Sequence, residues 1–387
     1  MSGASNLRAR AVAFYLPQYH RIPENDRWWG DGFTDWVNVR KASPLFPGHY
    51  QPRVPLGQRY YDLTDKDTIR WQIGLAQSYG VYGFCHYHYW FDGVQLLQNP
   101  TDAFLSDRSL DFPFCLAWAN ATWSRRWDGD ENADSILMQQ THRPDRQIWR
   151  RHLDYLIRAW TDPRAITIEG KPVFLVYSPQ IIVELHNLLE YWREGAQEAG
   201  LPGLHLVAMR QHKLLDDRIL SDFDAVTHFQ PAMAMLMPKR SDGLLSTVSV
   251  ERHLRALPPW LKNPLKKVQR MLPEATRFYD YDELWKRALA PDPGASVRPA
   301  YPGAFLDWDN TARYGKRARI VRGADPKKFS RWFRELVGSL SESTPEQRLI
   351  FVNAWNEWAE GSYLEPDERN GYGYLEAIRD SVINGRG

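Results

Sequence analysis

The 387-residue chain is poor in the features that mark several classes of protein. It has two cysteines, Cys85 and Cys115, each inside an apolar strand-like run, so the expectation is buried reduced thiols rather than a disulfide framework. No apolar stretch nears the roughly 20 residues that span a bilayer, so no transmembrane helix is expected. The start, MSGASNLRARAVAFYLPQY, enters a strand-like run without a secretory apolar core or cleavage site, and the expected location is the cytoplasm. Charge of one sign is lacking as well: 49 Lys and Arg against 47 Asp and Glu leave +2, no global field for nucleic acid. No G-x-G-x-x-G follows the first strand-like run and no G-x-x-x-x-G-K-[ST] occurs, which removes the common nucleotide-binding loops.

What the chain has in quantity is aromatic side chains, 17 Trp, 19 Tyr and 16 Phe, more than a core of this size requires. Short apolar runs at Val12–Tyr19, Gly83–Trp90, Phe112–Trp118, Pro172–Tyr177, Leu204–Met209, Ala225–Phe229, Ala300–Leu306 and Arg348–Ala354 read as strands. Helix-length segments at Asp65–Tyr79, Asp145–Trp160, Gln180–Ala199, Pro326–Leu340 and Tyr372–Ile383 alternate with them. Eight βα units over this length predict an α/β fold, a (β/α)8 TIM barrel forming one domain over 1–387. Long insertions at about 21–63 and 233–298 follow strand ends, which puts them at the face where such barrels build active sites.

Polar and indole residues gather where the predicted strands stop: Tyr15 and Gln18, then His86, His88 and Trp90, then Trp118, Asn120, Trp123, Arg125 and Arg126, then Trp355 and Asn356, with Trp36 in the first insertion. One such residue would be ordinary barrel core, but repetition at several strand ends suits a cleft in which rings stack on sugar C–H faces and polar groups bind hydroxyls. A glycan is the expected partner. Glu357 and Glu360 in NAWNEWAEG then have a use, since glycosidic cleavage needs one group to protonate the leaving oxygen and another to assist at the anomeric centre. On a straight strand i and i+3 point apart, so the two converge only if the chain turns, as Gly361 permits.

The stretches AFYLPQYH, WWGDGFTDWVNV, PLFPGHYQPRVP, GFCHYHYWFDG, WANATWSRRWDG and NAWNEWAEG, spread over nearly the whole chain, resemble glycoside hydrolase family 99, the endo-α-mannosidase group. They are closer still to the bacterial family 99-like proteins of lipopolysaccharide and O-antigen biosynthesis, some labelled glycosyltransferases. The resemblance implies a barrel and a retaining mechanism without metal or cofactor. It assigns Glu357 as general base on the substrate's own 2-hydroxyl and Glu360 as general acid and then base. This chain departs from the O-antigen group in having Ala121 where W-A-N-E is usual, and from the hydrolases in having Leu16 and Gln18 around Pro17.

Three other readings stand beside this one. His86-x-His88 at a strand end, with His212 and His228, fits a metal-dependent amidohydrolase-like barrel. A non-catalytic glycan-binding barrel uses the same aromatics but gains nothing from two repelling glutamates. A nucleotide-sugar glycosyltransferase would use Arg125 and Arg126 on phosphate. The segment 238–270 carries Lys239, Arg240, Arg252, Arg255, Lys262, Lys266, Lys267 and Arg270 against Asp242 and Glu251. It is read as a flap that guides an anionic glycan or rests peripherally on the inner membrane.

Overall fold

The structure, a computed structural model, describes residues 7–125, 136–211, 215–236, 276–290 and 298–383. Among these, the parallel strands Arg10–Tyr15, Gly83–Phe91, Phe114–Trp118, Lys171–Val176, His205–Arg210, Ala225–His228 and Leu349–Asn353 are joined by a split seventh strand, Ala300–Tyr301 and Gly303–Phe305. The two halves of that strand close the sheet. Val226 and Thr227 pair with Ala300 and Tyr301, whereas Gly303 to Phe305 pair with Phe351 to Asn353. The interruption at Pro302 lets the chain leave one neighbour for the other, and its carbonyl still accepts from the Phe351 amide at 3.1 Å. Gly303 is needed there because a Cβ would meet the His228 carbonyl oxygen at 1.8 Å. The expected (β/α)8 barrel is therefore the observed one.

The long strands are buried on both sides, one face toward the barrel interior and the other under the helices. Lys66–Ser78, Arg146–Trp160, Leu185–Glu198, Pro326–Gly338 and Gly373–Val382 form part of the outer layer. Asp65, Asp145 and Asp325 cap three of these, each accepting from amides of the first turn. The helix expected from Gln180 starts at Leu185 instead, after a short turn at Pro179–Ile181 and a left-handed Glu184. No helix among the described residues is long and apolar enough to cross a membrane. Cys85 and Cys115 are buried free thiols facing each other across adjacent strands.

The first insertion folds into two short helices, Pro23–Trp29 and Asp35–Lys41. It returns to the barrel where the Leu63 amide bonds the Tyr19 carbonyl. Of the second, Arg277–Asp280 pairs in parallel with Arg319–Arg322, forming a small sheet beside the barrel mouth. The basic segment 238–270, Arg126 and His212 lie outside the described residues.

Candidate active site

The last strand ends at Asn353, and the next residues turn back on themselves: Asn356–Glu357 pairs antiparallel with Ser362–Tyr363 around a single turn, Trp358–Glu360. Gly361 closes the turn at φ +66, and a Cβ there would sit 3.0 Å from the Asp309 amide nitrogen. That amide donates to the Glu360 carbonyl at 2.7 Å. The turn carries both carboxylates to one wall of a cavity of about 510 Å³ at the barrel mouth, as their convergence required.

Arg313 holds the pair. Its guanidinium bonds Glu360 at 2.7 Å and Asp35 at 2.9 Å and comes within 3.5 Å of Glu357 Oε2. One cation among three acids leaves the site short of positive charge, and Glu357 Oε2 is buried without a hydrogen-bond donor among the described residues. Burial first, then the Glu360 charge, push Glu357 up to about 8, with Arg313 opposing. Burial also raises Glu360, against a direct bond to Arg313. Both carboxylates are thus held above the usual range, and at neutral pH the free pair retains a proton.

Tyr87, Tyr89, Tyr177 and Trp308 line the same cavity, which continues past Gln18 and Trp123 into a second hollow of about 340 Å³. Trp28, Trp29 and Phe33 of the first insertion line that hollow together with Arg125. Gln18 donates to the Tyr89 hydroxyl at 3.0 Å. Ala121 lies on the main cavity wall, so the departure from W-A-N-E removes a carboxylate from the cavity itself.

Of the residues expected to bind sugar, Gln18, Trp123 and Arg125 stand at these surfaces beside Glu357 and Glu360. Arg126 lies outside the described residues, and the structure places the rest in the core. Tyr15 is buried and donates to Gln72, and Trp36 donates to the Tyr61 carbonyl. His86 faces Thr101, while His88 meets His152 at 2.9 Å under the helix layer. Burial lowers both imidazoles to about 3. Trp118 bonds the Trp90 carbonyl, and Asn120 exchanges hydrogen bonds with the Ser178 backbone. Asn356 clamps both backbone groups of Leu16. Trp355 is fully buried and points at Glu365.

Tyr87, Tyr89 and Arg313 were not singled out from the sequence. The signal for the tyrosines lay in HYHYW, where every second residue shares a face: His86, His88 and Trp90 take the helix side, and the intervening tyrosines take the cavity. Arg313 had no local signal. The Asp307-Trp308-Asp309 run is a D-x-D tripeptide, yet both carboxylates are engaged internally, Asp307 by Arg53 at 2.9 Å and Asp309 by His49 and Gln51 at 2.7 Å each.

Residues 11–378 match the family described as Glycosyltransferase WbsX. The uncharacterized protein WxcX of Xanthomonas campestris pv. campestris strain ATCC 33913 is 37% identical over 97% of this chain and 50% of its own length, and its counterpart in strain B100 is 36% identical over the same shares. The chain thus spans about half the length of these curated relatives. Among solved structures, a glycoside hydrolase-like protein matches with a TM-score of 0.58 at 13% identity, covering 97% of this chain and 94% of the other. A family 99 endo-α-mannosidase from Bacteroides thetaiotaomicron matches with a TM-score of 0.50 at 14% identity, covering 96% of each chain, a likeness of fold. By the length of the family match and the identity to its relatives, the chain belongs to the WbsX family, related in fold to glycoside hydrolase family 99.

Proposed function

We propose that the protein is a retaining carbohydrate-active enzyme that cleaves or transfers a glycosidic bond in a bacterial polysaccharide of O-antigen type. The observation that carries this reading is the Glu357 and Glu360 pair, turned onto one cavity wall around a single shared arginine. A site with two acids and one retained proton has the parts for combined acid and base chemistry. In the assignment that the family 99 resemblance suggests, Glu357 takes the proton of the sugar 2-hydroxyl as that oxygen attacks the anomeric carbon. Glu360 gives a proton to the departing glycosidic oxygen. The resulting 1,2-anhydro sugar is opened by water or by an acceptor hydroxyl, with Glu360 now taking that proton and Glu357 returning its own to the 2-oxygen as the C1–O2 bond breaks.

The free pair retains a proton, and these roles place it on Glu360 once substrate has entered. An incoming 2-hydroxyl that donates to the Glu357 carboxylate at the cavity wall stabilises its ionised form. Tyr87, Tyr89, Tyr177 and Trp123 are the aromatic groups placed to face sugar rings, with Gln18 as a hydroxyl partner. The test is reducing-end release from defined polysaccharides by wild type, Glu357→Gln and Glu360→Gln. Near-normal turnover in both variants sinks the proposal. The family description favours glycosyl transfer as a second reading, and release of a nucleoside diphosphate from a sugar-nucleotide donor decides for it.

A further inference from the structure

The cavity wall beyond the glutamates is basic. Arg277, Arg317 and Arg319 all line it, in addition to Arg313, whose charge is taken up by Asp35 and the glutamates. Arg277 and Arg319 are direct partners across the two parallel strands of the small outer sheet, and their presence in the same lining puts both on one face. Two like charges placed opposite each other cost stability unless something anionic lies between them. Among the described residues neither guanidinium has a carboxylate within ion-pair distance. Tyr314 lines the same wall, near enough to Glu360 and to Arg313, Arg319 and Arg317 for its phenol to feel both signs of charge. Trp308 is also in the lining.

We propose that Arg277 and Arg319 form a subsite for an anionic group on the glycan, a uronate carboxylate or a phosphate ester, next to the bond that Glu357 and Glu360 act on. Guanidinium forks match the planar carboxylate and the phosphate oxygens in pairs. A neutral sugar would leave the two arginines facing each other. This selectivity rests on reading the cavity as a glycan site, but its test does not depend on turnover.

The experiment is calorimetric titration of the full chain with D-glucuronate, inorganic phosphate and glucose 1-phosphate, with D-glucose as the neutral control, at low salt and at high salt. The expected result is saturable binding of at least one anion, weaker by tenfold or more at high salt and in Arg277→Ala/Arg319→Ala. Arg150→Ala, an exposed arginine of the outer helix layer, should leave it unchanged. Binding of glucuronate alone identifies a uronate as the source, and binding of the phosphates alone identifies a phosphate ester. No saturable anion binding, or binding that survives the double substitution, overturns the proposal. Failure of the catalytic reading shows separately, as turnover that persists in Glu357→Gln and Glu360→Gln whatever the arginines bind.

Discussion

Glu357 and Glu365 belong to the same short segment and are both shut away from solvent, yet their surroundings are opposite in kind. Glu365 accepts from four donors: Gln72 at 2.7 Å, Tyr61 at 2.8 Å, and the indoles of Trp355 and Trp358 at 3.1 and 2.7 Å. Among the described residues Glu357 has an oxygen with no donor and a cation only at 3.5 Å. Burial lifts both, Glu365 to about 7 against its four hydrogen bonds and Glu357 to about 8 beside the Glu360 charge. A satisfied buried carboxylate fixes structure, whereas an unsatisfied one at a cavity is available to exchange a proton. The tryptophans of W-N-E-W thus hold the turn from behind and leave the glutamates between them free to face the cavity.

This contrast is sharpest in paired substitutions. Glu357→Gln and Glu360→Gln should each lower turnover by about 10²- to 10⁴-fold, while Glu357→Gln melts no lower than wild type at neutral pH because it replaces a carboxyl whose charged form burial already disfavours. A clear loss of melting temperature in Glu357→Gln would make it a structural group like Glu365. Arg313→Ala strands three acids in a buried cluster and should cost about 3–5 kcal/mol in urea unfolding. A loss below about 1 kcal/mol would show that Arg313 is not what neutralises them.

Glu365→Gln sets an amide donor against donors already present, at about 1–3 kcal/mol for each one orphaned. Its damage should appear first in the unfolding curve. Wild-type stability in that variant would remove the distinction between the two carboxylates.

The raised Glu357 also shapes pH dependence. Between its ordinary value of 4.5 and about 8, the folded state binds more protons than the unfolded one. Its contribution is therefore fully present below 4.5 and lost as pH rises through 8. Melting temperature followed across that window should fall less in Glu357→Gln than in wild type, and identical slopes would contradict the raised value. The smallest effect is expected at the second strand: Tyr89→Phe should cost only about 0.5–1.5 kcal/mol of stability while weakening substrate binding. His88→Ala should instead act on stability, through the lost contact with His152. The opposite pattern would reverse the two faces of that strand.

Much of this architecture was legible in the chain itself. Apolar runs alternating with amphipathic segments specify a barrel because each strand must be covered on both faces, and N-E-W-A-E-G carries the turn and both acids in contiguous residues. The split at Pro302, with Gly303 against the His228 carbonyl, was not legible, since it answers to the spacing of two neighbouring strands.

Only the tertiary structure decided which half of HYHYW looks inward. A strand buried on both faces has no polar side to mark, so alternation defines two sets of residues and leaves their direction open. The same holds for the site's charge: Asp35 and Arg313 reach the glutamates from loops after the first and seventh strands, and an ionisation state is a property of what closes around a group in space. The sequence determined the fold class and the two carboxylates, because local periodicity and a contiguous motif are written along the chain. Their partners, and which aromatics face the cavity, follow from barrel closure, which brings distant strand ends together at one mouth.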